Sequence, residues 1–147
     1  MAGWERKPLE VPDSSTEQRR LAKKLVREMG KEALKLAEEG RPLPVDLEGG
    51  VLYHCGPVAR RVGDRWEILA AGPTTSTRME LFEADFIRLF GVRVIVGKGG
   101  MGPRTTEACQ RYGAVYAAFT GGAAVLAARA IKRVVGVEWL DLGMPEA

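Results

Sequence analysis

The amino-acid sequence predicts an α/β domain whose strands have parallel neighbours, and three observations carry that expectation. Strand and helix signals alternate at crossover spacing through the C-terminal half. A β-branched, alternating run, Val92-Arg-Val-Ile-Val96, empties directly into the glycine loop Gly97-Lys-Gly-Gly100. Helical patterns flank that run on both sides, the arrangement of a sheet covered by crossovers.

The elements follow in order. Residues 1–13 are polar and contain Pro8 and Pro12, which suits an extended N-terminal arm, and 14–147 form a single domain. Ser14 with Glu17 makes a capping-box pattern. Leu21, Leu25, Val26, Met29, Ala33, Leu36 and Ala37 then recur at helical spacing up to Gly40, one long amphipathic helix with Gly30 as a point of disturbance. Pro42 and Pro44 mark a linker. Val51–Cys55 and Trp66–Ala70 read as strands flanking a turn near Gly63-Asp64.

Leu81–Phe90 places apolar residues on one helical face and stops at Gly91. The strand Val92–Val96 comes next, and Pro103 opens a second short helix to about Tyr112. Ala114–Phe119 reads as a strand, Gly121–Arg133 as an alanine-rich helix and Val134–Leu140 as a closing strand.

Composition limits the function classes. The chain has 147 residues, 46% hydrophobic and 28% charged, which fits one soluble globular domain. Its 18 glycines concentrate after Gly49, where they mark turns and close backbone approaches. The formal charge of +3 is dispersed, apart from Arg19-Arg20 with Lys23-Lys24 and the pair Arg60-Arg61. A nucleic-acid partner needs a concentrated basic stripe, so none is expected. Cys55 and Cys109 stand alone, too few to hold zinc or an iron–sulfur cluster by themselves. A bridge between them stays open on sequence, and two thiols in a domain of this size read as reduced and cytoplasmic. The N-terminus lacks an apolar signal core, and no window approaches the roughly 18 apolar residues of a membrane span.

Three places could carry chemistry. Gly72-Pro-Thr-Thr-Ser-Thr-Arg78 follows a strand and precedes a helix, so backbone N–H groups and hydroxyls gather where anions are favoured, and Arg78 adds a fork matched to a carboxylate. The plain alternative is a capped turn with an exposed arginine. Lys98 sits among glycines at a strand's C-terminal end, where open α/β sheets bind ligands; its alternative is a solvated turn lysine. The loop is not a Walker A, because the GxxxxGK[ST] order is missing. His54 has no Asp or Cys partner nearby in sequence and reads as a packed strand residue rather than a catalytic base.

Taken together, Tyr53–Val58 (YHCGPV), Ala71–Met79 (AGPTTSTRM), Val94–Met101 (VIVGKGGM), Tyr112–Phe119 (YGAVYAAF) and Gly121–Leu126 (GGAAVL) resemble one family. It is the β subunit, or C-terminal domain, of class I iron–sulfur fumarate hydratases and the related L-tartrate dehydratases. The likeness runs from about Pro42 to Ala147 with every motif in order.

The resemblance implies a swivelling β/β/α domain that docks on a separate α subunit carrying a four-iron four-sulfur cluster, with no cofactor or metal bound by this chain. It implies reversible addition of water to fumarate, or to a related small dicarboxylate. Carried over by motif, Thr74 is the candidate proton-abstracting or proton-positioning hydroxyl, Arg78 a carboxylate clamp and Lys98 a second, catalytic cation, with Thr75 and Ser76 supplying hydrogen bonds to the substrate. A Thr hydroxyl is a poor base unaided and needs activation by Lys98, Arg78 or the partner.

The family's substrate-binding arginine maps onto Arg27, in a segment, Arg27-Glu-Met-Gly-Lys31, that departs from the family's Arg-Asp-Ala-Ala-His pattern in its acid and its final residue. The strands that precede this helix in the family have no counterpart before Leu25, and family members continue past Ala147. The chain therefore resembles a shortened β subunit, a hetero-oligomer with its partner and a homodimer alone. The competing reading is a non-catalytic anion-binding or oligomerisation module.

Overall fold

The computed structural model describes residues 29–143. Among them, 29–38 are helical (α1), followed by β1 (Val51–Tyr53), β2 (Val58–Val62) and β3 (Arg65–Ala70). A 3-10 turn (Ser76–Met79), α2 (Glu83–Leu89), β4 (Val94–Gly97), α3 (Pro103–Tyr112), β5 (Val115–Ala118), α4 (Ala124–Ala130) and a last 3-10 turn (Leu140–Leu142) complete the order. The expected arm over 1–13 and the first half of the long helix lie outside the described residues.

The α/β expectation is met. β4 is the central strand of a three-stranded parallel sheet in the order β1-β4-β5, with Leu52 opposite Ile95 and Ile95 opposite Tyr116. Ile95 and Val92 are fully buried, and with Ala33, Phe86, Ile87, Ala108 and Ala114 they form the core between the sheet and α1, α2 and α3. α3 begins with Pro103, whose missing N–H costs nothing in a first turn, and ends at Gly113, left-handed at φ 71°. Gly30 lies in the first turn of the described part of the helix, packed against Phe82. A Cβ there would come within 2.7 Å of the Phe82 ring, so the glycine admits that ring against the helix.

Two strand expectations are corrected. The partner of β3 across the Gly63-Asp64 turn is β2, an antiparallel hairpin in which Arg60 faces Glu67 and bonds it at 2.6 Å; β1 belongs to the other sheet. Residues 134–140 form no closing strand. Val134, Val137 and Trp139 instead turn their side chains into an apolar cavity of about 370 Å³, shared with Leu52, Trp66 and Ile68. Trp139, at φ 53°, leaves strand geometry altogether. α4 is accordingly shorter than the expected Gly121–Arg133. Among the described residues no helix is long and apolar enough to cross a membrane.

Candidate active site at the C-terminal end of the parallel sheet

β1 and β4 both end at the same edge, and the chain beyond each is fastened to the loop after β3. The His54 N–H donates to the Val96 carbonyl at 2.8 Å, and the Thr74 N–H donates to the His54 carbonyl at 2.7 Å. Cys55 bridges Pro73 in antiparallel fashion, and Thr75 bridges Lys98 in parallel fashion. The sequence-predicted Thr74, Thr75, Ser76 and Lys98 are thus brought together by backbone, at the strand ends where open α/β sheets bind ligands.

Their side chains divide into two layers. Lys98 and Arg78 are exposed, and neither cationic group has a hydrogen-bond or ion-pair partner among the described residues. Thr74 and Thr75 are half-buried, with hydroxyls that likewise meet no protein partner among those residues. The stem of Lys98 passes beside Gly121, where a Cβ would meet its Cδ at 3.4 Å, so the second glycine loop adjoins the lysine.

Behind them Ser76 is completely buried. Its Oγ lies 2.9 Å from His54 Nδ1 and 3.0 Å from both the Lys98 backbone nitrogen and the Tyr116 hydroxyl. Ser76, expected to bond substrate, thus lies behind the surface with its hydroxyl bonded within the protein. Arg27 lies outside the described residues.

Sequence reasoning missed two carboxylates. His54 Nε2 lies 2.7 Å from Glu83 Oε2, a hydrogen bond between two buried side chains. The second is Glu80, which ends the 3-10 turn and caps α3. Its oxygens accept from the N–H groups of Gly102 at 2.7 Å, Arg104 at 3.0 Å and Thr105 at 3.3 Å, and from the Thr105 hydroxyl at 2.7 Å. Burial pushes its carboxyl up, but these donors outweigh burial and hold it below the usual carboxylate range. Glu80 therefore ties the segment bearing Arg78 to the helix that follows the Lys98 loop.

This arrangement can hold an anion with two acidic ends: two uncompensated cations, two free hydroxyls, and a rigid hydrogen-bonded floor. It does not fit a metal cluster. Among the described residues no three His, Cys, Asp or Glu side chains converge as ligands. Cys55 follows β1 while Cys109 lies in α3, and burial pushes both thiols up, away from the thiolate form a metal needs.

The profile of the family described as Fumarase C-terminus matches residues 24–147. The L(+)-tartrate dehydratase subunit beta of Escherichia coli is 50% identical over 113 residues, covering 77% of this chain and 56% of that protein. A protein of Geobacillus stearothermophilus named "Putative fumarate hydratase class I" is 49% identical over 105 residues, 71% of this chain and 20% of that one. The chain thus spans little more than half of the first relative and a fifth of the second.

Proposed function

The chain belongs to the fumarase C-terminus family, and on that premise we propose that it is the β subunit of a two-subunit, iron–sulfur-dependent hydro-lyase that reversibly hydrates fumarate to L-malate. The observation that carries the reading is the pair of cations, Arg78 and Lys98, unpartnered among the described residues and set on two loops locked together through Thr75 and Ser76.

Fumarate and malate carry a carboxylate at each end. Arg78 takes one in bidentate fashion, and Lys98 holds the other and offsets the charge that builds there when the neighbouring carbon loses its proton. Thr74, fixed to the His54 carbonyl by its own N–H, presents an oxygen that takes that proton once a base of the partner subunit has removed its own. The hydroxyl lost from the adjacent carbon would be held by the Lewis-acidic cluster of the α subunit. Thr75 supplies a further hydrogen bond. In this reading Arg27 contributes another substrate contact, and the four-iron four-sulfur cluster resides on the α subunit, because this chain's donor set does not fit one.

Exposed cations act weakly in water, since solvent screens them. The proposal therefore requires the partner to cover this edge of the sheet, with the β subunit swivelling closed on the substrate. The second reading within the class is L-tartrate, another hydroxydicarboxylate, favoured by the similarity to the tartrate dehydratase subunit. The test is anaerobic co-expression with the cluster-bearing partner from the same source, following fumarate formed from L-malate and oxaloacetate formed from L-tartrate. Turnover only with the partner supports the split site, and the better substrate settles the choice. An intact complex that turns over neither leaves an anion-binding module.

A further inference from the structure

The buried network behind the site takes one direction when the Tyr116 hydroxyl donates to Ser76 Oγ at 3.0 Å. The Lys98 N–H can only donate, so it occupies a lone pair of Ser76 Oγ at 3.0 Å. With the second lone pair taken by the Tyr116 hydroxyl, the Ser76 proton needs an acceptor, and His54 Nδ1 lies at 2.9 Å. Nδ1 accepts only if it is bare, which requires the ring proton on Nε2. There Glu83 Oε2 lies at 2.7 Å and receives it. Tyr116 closes the circuit, with the Gly99 carbonyl 3.2 Å from its hydroxyl as an alternative acceptor.

We propose that His54 is a positioning residue for the anion site: Glu83 holds it as the neutral, Nε2-protonated tautomer, so that Ser76 turns its proton inward and a lone pair toward the Lys98 amide, fixing the loop that carries Lys98. The proposal rests on the reading of Lys98 as a carboxylate clamp. Its structural half stands independently of that reading.

Glu83 is the key to the arrangement. It is 2% exposed, and its second oxygen, Oε1, has no hydrogen-bond partner among the described residues. A carboxylate buried with one oxygen unsatisfied is costly, so packing alone gives no reason to keep it there. Control of the histidine tautomer does.

The chain contains one histidine, so a single imidazole reports the network. With the ring nitrogens of this chain isotope-labelled, the proposal expects a proton-bearing Nε2 and a bare Nδ1, together with slow hydrogen exchange at the Lys98 amide. Glu83→Leu cannot accept the Nε2 proton. It should lose the tautomer preference and the amide protection and, in the reconstituted complex, raise KM about tenfold while kcat changes less than about threefold. Glu83→Gln still offers a carbonyl oxygen and should restore all three readouts. A bare Nε2 or an imidazolium in the unmodified chain, or Glu83→Leu with an unchanged spectrum and amide protection, overturns the proposal. A complex inactive on both dicarboxylates, with the tautomer as expected, overturns the hydro-lyase reading and leaves the network standing.

Discussion

Ser76 and Lys98 hold each other twice: the Ser76 N–H donates to the Lys98 carbonyl at 3.0 Å, and the Lys98 N–H donates to Ser76 Oγ at 3.0 Å. That reciprocity depends on Gly97, where a Cβ would overlap Ser76 Oγ and approach His54 Nδ1 to 3.0 Å. Neither neighbour can yield, since both are buried and hydrogen-bonded. Gly97→Ala is therefore expected to cost about 1–3 kcal/mol of unfolding free energy, the usual range for overpacking a tight site. Denaturant unfolding reads it against Gly100→Ala, where no atom lies within 4 Å of the added methyl and the change should stay within about 0.5 kcal/mol. Equal midpoints for the two variants would show that the floor is loose.

Glu80 gives the fold an acid-sensitive joint. Hydrogen bonds from Thr105, Gly102 and Arg104 hold its carboxyl below the usual range in spite of burial. A depressed carboxyl contributes stability above its unfolded value and loses it as pH falls through the folded value. The loss thus lies at the acid end, below the ordinary carboxylate range. Glu80→Ala should remove about 0.5–2 kcal/mol at neutral pH, as for other lost helix caps, and remove part of the fall in stability on acidification. Unfolding curves with the same acid slope in wild type and Glu80→Ala would exclude Glu80 as the source.

How much of this was legible depends on the range of the signal. α3 could be read because its marks are local: Pro103 fits the first turn and Gly113 the left-handed stop. β2 was hidden because Arg60, Arg61 and Val62 all face solvent, so the strand shows no alternation and its reason is the partner across the turn. The run from Val134 failed in the opposite direction, with strand-like residues drawn into a cavity instead. The pairing of His54 with Glu83 spans 29 residues and has no local mark. A weak one existed: Glu83 shares a helical face with Phe86, Ile87 and Phe90 at i+3, i+4 and i+7, and a carboxylate on an apolar face requires a partner.

The two cations should be separable by chemistry. In the reconstituted complex, Arg78→Ala and Lys98→Ala are each expected to lower kcat/KM at least about tenfold, or roughly 1.4 kcal/mol of transition-state stabilisation. Arg78→Lys should recover little, because an ammonium cannot reproduce a bidentate fork. Unchanged kinetics in the alanine variants would remove both residues from the site.

Thr74 is tested by its hydroxyl. Thr74→Ser keeps the oxygen and the backbone bond to His54 and should retain most of kcat. Thr74→Val keeps the shape and should lower kcat about a hundredfold, the scale of a lost proton-transfer group. Steady-state rates in which Val and Ser behave alike would move the proton-carrying role to the partner subunit.

Cys109 offers an independent reading of the charge on Glu83. Burial pushes this thiol up, and the negative charge of Glu83 adds to the effect, whereas burial alone raises Cys55. Both thiols should therefore alkylate slowly at neutral pH and faster as pH rises, because the thiolate is the reacting form. Glu83→Gln removes the charge while keeping the shape, so Cys109 should react at lower pH than in the unmodified chain and Cys55 should not change. Site-resolved mass spectrometry of the alkylated protein separates the two residues. A shift at Cys109 alone shows that the charge of Glu83 reaches this thiol, and an unmoved Cys109 profile would leave burial as the common cause at both cysteines.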